Sequence, residues 1–301
     1  MIKISLDNLE TIVNTHAKEV EQYINFDALQ QREKKYIKKN IEKILKAKPQ
    51  EHDKIIKDAK QNNIDNDRLK KAFVGGKDKG GSIGYAKFSS KATSTYNAYN
   101  LAQELNVNVC PYCNRNYTFT VKDKNAKSTR PDFDHFYDKN THPILALSFY
   151  NLIPSCILCN SRLKSTAKFS TSTHLHPYQE SFNDYAKFKL KIEKCTFYYD
   201  ENGFEITLET TEPRAQKIID DFALQTLYDE HKDIVLELIQ KAQIYNKSYL
   251  DELMQNYEGT LFKNREDLLR LITCGYVSDE DLHKRPLSKL IKDISEELEL
   301  L

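Results

Sequence analysis

Residues 131–160 run PDFDHFYDKNTHPILALSFYNLIPSCILCN, a strand, a loop, an apolar run and a CxxC pair in succession. PDFDHF (131–136) reads as a short strand, and it places Asp134 beside His135. A loop with Thr141, His142 and Pro143 follows, and then the apolar run ILALSFYNLI (144–153) with Asn151 near its end. The stretch closes on CILC (156–159) and Asn160, which lead into a short polar helix.

A second CxxC, CPYC at 110–113, lies upstream, with 42 residues between the pairs. Zinc takes four soft ligands in a tetrahedron, and two CxxC knuckles supply them as preorganised pairs. The pattern predicts a structural Zn²⁺ on Cys110, Cys113, Cys156 and Cys159 that ties the ends of an inserted subdomain together. A coincidental or redox pair is the weaker reading, because the two pairs border one compact segment. Cys195 and Cys274 are isolated in apolar surroundings and are expected in the core.

On the N-terminal side, residues 5–24, 28–47 and 50–73 carry apolar residues at three- and four-residue steps and are expected to be helices. GGKDKGGSIG (75–84) holds five of the eight glycines and marks a flexible, basic boundary loop. It departs from a Walker A sequence, so its glycines do not by themselves indicate a phosphate site. Another helix is expected over 92–106, a strand over NYTFTV (116–121) and a turn in DKNAKS (123–128). Beyond the second CxxC, AKFKLKI, TFYY and FEITLET read as strands within 183–210, and the chain from Pro213 onward reads as helix. The fold class expected is α+β, with a zinc-stapled ββα core embedded in a mainly helical frame. Three segments follow: a helical region 1–107, a core with its following strands at 108–212, and an acidic helical region 213–301.

The net charge of +1 hides a segregated distribution. Lys and Arg outnumber Asp and Glu by 18 to 9 over residues 26–91 and by 13 to 7 over 109–196. Over 197–301 the balance reverses to 12 against 23. The first two-thirds suits a polyanion and the last third repels one, although solvated helix faces account for such runs as well. No run of 18 apolar residues is present to cross a membrane, and the N-terminus lacks a signal-peptide pattern, so the expectation is a cytoplasmic protein without a membrane partner.

Hydrolysis of a phosphodiester requires a base for water and a cation for the developing charge. A histidine held on a strand is mostly neutral at pH 7 and suits the base. Aspartate and asparagine oxygens suit a hard divalent ion. Taken singly, His135 reads better as a core histidine, Asn151 as a turn residue and Asn160 as a helix cap. Their joint order with the four cysteines outweighs those readings. THLHPY (173–178) adds His174 and His176 at strand-like spacing, and a structural role is the better assignment for both.

That order resembles the HNH (ββα-metal) endonuclease family over roughly residues 108–168, through CPYC, DFDHF, the Asn151 of SFYNLIPSC, and CILCNSRLK. The resemblance implies a nuclease with His135 as general base. Asp134 and Asn160 would then hold the catalytic cation, Asn151 would brace the loop and orient the base, and Arg162 and Lys164 would meet phosphate. The third signature position is Asn where the family name has His, which favours Mg²⁺ or Mn²⁺ at the catalytic site. DNA is the substrate the resemblance prefers, and an RNase stays open within the same class. The arrangement is also similar to HNH effectors of bacterial anti-phage defence, of the Septu type, which implies an ATPase partner protein. Two other classes stay open: a zinc-containing nucleic-acid-binding module without catalysis, and a zinc-held interaction protein.

Overall fold

The computed structural model describes residues 2–78, 81–90, 95–122 and 127–301. Helices and small antiparallel sheets make the chain α+β. It divides into two units. Residues 4–107 and 118–179 form one, called the pocket unit, and residues 1–3, 108–117 and 180–301 form the other, called the acidic unit. This division crosses the three successive segments expected from the sequence, because 118–179 groups with the N-terminal helices and 180–212 with the C-terminal ones. The pocket unit carries 27 Lys and Arg against 18 Asp and Glu, and the acidic unit carries 18 against 26. Among the described residues, no helix is long and apolar enough to cross a membrane.

The pocket unit begins with α1 (Leu9–Val20), which buries Ile12, Val13, His16, Ala17 and Val20 along one face. α2 (Gln31–Lys46) opens on a capping box in which Glu33 accepts from the Gln30 backbone. Glu33 also takes two bonds from Arg68, at 2.7 and 2.8 Å. Those bonds hold its carboxyl down to about 2, against the opposing effect of burial. The single helix expected over 50–73 is broken. α3 (His52–Gln61) stops where Asn63 takes a φ of +51°, a conformation Asn tolerates. Helix restarts at Asn66–Leu69 under an Asp65 cap and ends in a wide turn, Lys70–Val74.

Gly75 and Gly84 both have positive φ, and a side chain on either would collide with backbone. Two glycines of the boundary loop are therefore required by a close backbone approach. Lys79 and Gly80 of that loop lie outside the described residues. So do residues 92–94 of the next expected helix, which is observed as α4 (Ala98–Leu105), and residues 123–126 of the expected turn. NYTFTV does not form one strand. Tyr117 makes an isolated bridge to Val109, only Val121–Lys122 enters a two-residue ribbon, and Tyr117, Phe119 and Val121 are exposed. An alternating run with no covering layer gains little from strand pairing.

β1 (Asp132–His135) pairs antiparallel with β2 (Leu152–Ser155), Asp134 opposite Ile153 and His135 opposite Leu152. Pro154 fits there because each strand has a single neighbour, so its missing N–H interrupts no second ladder. Most of the apolar run before β2 is taken by two short turns, Pro143–Leu145 and Phe149–Asn151. After β2 comes a helical segment, Leu158–Lys164, which stops at Ser165 with φ +44°.

The acidic unit contains the hairpin of β3 (Ala186–Ile192) and β4 (Phe204–Thr210). Helices follow at Pro213–Asp221, Leu224–Asp229, Lys232–Ile244, Lys247–Tyr257, Arg265–Thr273 and Ser288–Glu297. TFYY is a turn, with Tyr198 and Tyr199 exposed. Cys195 and Cys274 are exposed too, contrary to the core positions expected. The buried face of β3 runs out before Ile192, which leaves Cys195 in the uncovered turn. Cys274 occupies the left-handed position that ends the Arg265–Thr273 helix.

Candidate functional site

The helical segment Leu158–Lys164 lies against β1, and polar groups meet across that contact. Strand residues two apart share one face. Asp132 and Asp134 accordingly face Asn160 and Lys164, which are four apart on the helical segment. Asn160 Nδ2 donates to Asp132 Oδ2 at 3.2 Å. Lys164 Nζ donates to both Asp134 oxygens, at 2.9 and 2.7 Å. The same ammonium reaches the carbonyls of His135 at 2.6 Å and Phe136 at 3.3 Å, and lies over the Phe169 ring. Lys164 and Asp134 are 4% and 5% exposed, so neither is solvated enough to drop the ion pair.

His135 is buried, and its Nε2 lies 3.0 Å from the Ala146 carbonyl. A carbonyl only accepts, so Nε2 carries the proton and Nδ1 keeps the lone pair. Burial is the largest influence on the imidazole and holds it well below its usual range, with the Lys139 charge acting in the same direction. Tyr85 packs edge-on against the ring at 4.4 Å. Asn151 is fully buried and takes part in five bonds, one of them from its own backbone amide to the Ser148 carbonyl. Its Oδ1 accepts from the Tyr137 amide, and its Nδ2 donates to the carbonyls of Tyr137 and Leu145. Its own carbonyl accepts from the Phe136 amide. The side chain thus clamps the exit of β1 to the loop whose next carbonyl, Ala146, receives His135.

These groups border a cavity of about 500 Å³. Asp132, Asp134, His135, Asn160 and Lys164 all line it. Arg162 is exposed and is not among the lining residues. Lys164, expected to meet phosphate, is instead bound to Asp134 and two backbone carbonyls. Asp134 and Asn160, expected to share one cation, are engaged separately, by Lys164 and Asp132 respectively. The sequence reading missed Tyr85, Arg130, Asp132, Asp138 and Lys139, which also line the cavity. For Asp132 the signal was present, since a residue two before Asp134 on a strand shares its face. For Tyr85 there was none, because its approach depends on a tertiary contact.

His174 and His176 are buried away from the cavity lining. His174 stacks on Phe169 at 3.7 Å, and His176 packs on Phe136 at 4.3 Å.

The Sγ atoms of Cys110, Cys113, Cys156 and Cys159 lie within 4.8 Å of one another, and all four residues are buried. Zn–S bonds of about 2.3 Å in a tetrahedron put sulfurs about 3.8 Å apart, so the set fits a structural zinc. Amide donors approach two of the sulfurs, Arg115 N to Cys113 at 3.4 Å and Cys159 N to Cys156 at 3.5 Å. Such donors stabilise thiolate charge around a metal.

No family model matches the chain, and no curated protein or solved structure matches it either.

Proposed function

We propose that the chain is a metal-dependent endonuclease of the HNH type, that the cavity beside β1 is its active site, and that its substrate is a phosphodiester of DNA. The observation that carries this reading is the His135 tautomer: Nε2–H is fixed on Ala146 O, which leaves Nδ1 as an acceptor on a residue lining the cavity. In this reading His135 takes a proton from water at Nδ1, and Asn151 keeps the ring's carbonyl partner in place through Leu145. The ββα core of the family corresponds to β1, β2 and the segment Leu158–Lys164.

Carboxylate and amide oxygens on one cavity wall are a donor set suited to Mg²⁺ or Mn²⁺. The half-buried Asp132 and Asn160 are the members left open to such an ion, because Lys164 already neutralises Asp134. A divalent ion, when bound, supplies charge stabilisation at the phosphorus and the departing 3′ oxygen. Asp134 then acts mainly as the anchor that fixes Lys164 and the end of β1. The engaged Asp134 also favours a second reading, a zinc-containing nucleic-acid-binding module that does not cut.

The deciding experiment is cleavage of supercoiled plasmid by the zinc-loaded protein with Mg²⁺, Mn²⁺ or neither, beside His135→Ala. The proposal expects metal-dependent nicking that falls about 10²- to 10⁴-fold in the variant, the range of general-base catalysis. Equal cleavage by both proteins rejects His135 as the base. DNA binding without cleavage under any metal selects the binding module.

A further inference from the structure

Arg130 stands on the cavity wall directly before β1 and is already held from both sides. Its NH1 donates to the Pro131 carbonyl at 2.6 Å and its NH2 to the Ser89 carbonyl at 3.1 Å. Its guanidinium lies 5.4 Å from the Tyr99 ring centre and 5.8 Å from that of Phe133. No carboxylate pairs with it among the described residues. Its Nε–H is buried and has no acceptor among the described residues. Leaving a buried donor unsatisfied is unfavourable, and more so for a charged group. A residue serving only to tie two carbonyls together has no use for that cost.

From this geometry we propose that Arg130 is the phosphate-binding residue of the cavity, its guanidinium held by the two carbonyls and donating the N–H groups not spent on them to an oxygen of an entering phosphate group. This rests on the nuclease reading for the identity of the cavity and goes beyond it in naming the group that seats the substrate. The guanidinium is preoriented by two carbonyl bonds and two aromatic rings, so little freedom is lost when the anion arrives. No carboxylate among the described residues forms an ion pair with it, whereas the Lys164 charge is cancelled by Asp134. A phosphodiester of a nucleic acid and a free phosphate offer the same oxygens, and experiment separates them.

The test measures binding by the zinc-loaded full chain with no Mg²⁺ or Mn²⁺ present, so that cleavage plays no part. A fluorescein-labelled 12-base-pair DNA duplex is titrated by anisotropy against wild type, Arg130→Gln and Arg130→Lys. Thermal melting of the same proteins is followed with and without inorganic phosphate. The proposal expects about 10- to 100-fold weaker duplex binding in Arg130→Gln, the range of one charged hydrogen bond. Arg130→Lys, which keeps the charge and lacks the planar fork held by the two carbonyls, should lose at least fivefold. Weakened duplex binding identifies a phosphodiester. Duplex binding unchanged in both variants, together with loss of stabilisation by phosphate, identifies a free anion. Wild-type behaviour of Arg130→Lys in both assays overturns the proposal, and this variant serves even if Arg130→Gln fails to fold. Because no step depends on cutting, an inactive protein with Arg130-dependent binding sinks the nuclease reading alone.

Discussion

Each unit of the molecule buries a lysine–aspartate pair, and the two pairs have opposite surroundings. In the acidic unit Lys289 and Asp293 stand one turn apart on the Ser288–Glu297 helix, and both are buried. Asp293 caps the Phe188 amide of β3, and burial lowers the Lys289 ammonium while Asp293 opposes the shift. In the pocket unit Lys164 and Asp134 come from different elements and border a cavity, and Lys164 holds the carbonyls of the proposed base and of the residue after it. Burial of a charge pair is thus no sign of function by itself. What separates them is a cavity and a neighbour with chemistry.

The strongest way to break this comparison is to replace both partners by apolar residues of similar size. Such exchanges of a buried pair are often neutral or stabilising. Lys289→Met with Asp293→Leu also leaves the Phe188 amide without its acceptor, so it should lose no more than the roughly 1–3 kcal/mol of that one bond and leave plasmid cleavage unchanged. Lys164→Met with Asp134→Leu should lose cleavage by at least about 10²-fold even where melting is preserved, since the end of β1 is freed beside His135. Equal cleavage by the two double variants would erase the distinction.

Single removals sharpen the same point on the stability side. Lys289→Met leaves Asp293 buried without its counter-charge and should cost roughly 3 kcal/mol in chemical denaturation. Adding Asp293→Leu removes the uncompensated charge but also the acceptor of the Phe188 amide, so it should recover only part of that loss. A single variant as stable as wild type would mean that water reaches the pair. Glu33→Gln offers a parallel in the pocket unit, because it leaves the half-exposed Arg68 with a neutral partner. Its loss should be smaller, about 1–2 kcal/mol, because Arg68 regains water.

The site was more legible in the sequence than the frame around it. Asp134, His135, Asn160 and the cysteines are short-range signals, set by a strand period and two CxxC knuckles. The α+β class followed from the same alternation. What stayed hidden depends on tertiary contact. Lys164 reads as a surface cation one turn past Asn160, and only the register of the helical segment against β1 brings it to Asp134. Arg130 precedes the motif and carries no pattern of its own, whereas Asp132 was readable from the strand period. NYTFTV has strand alternation, yet no layer covers it, and the exposed Cys195 lies where the hairpin face has ended. The division into units was unreadable because residues 108–117 and 118–179 are adjacent in sequence and belong to different units.

The smallest effect expected separates the units by pH. The pocket unit buries His16, His52, His135, His174 and His176, whereas the acidic unit's His231 is only half-buried. His16 is the cleanest case: burial lowers it to about 4, opposed only by its bond to the Leu147 carbonyl. In the unfolded chain the same imidazole titrates near 6.5. Between those values the unfolded state binds more protons, so stability rises with pH across the window and falls as pH drops from about 6.5 toward 4. Above 6.5 both states are neutral and the contribution is flat. His16→Gln keeps a donor for Leu147 and removes the titration. Its melting temperature should fall less than that of wild type between pH 6.5 and 4.5, by a difference worth roughly 1–2 kcal/mol. Parallel melting curves over that range would show that His16 takes up its proton without opening the unit, and the contrast between the units would then rest on Lys164 and Asp134 alone.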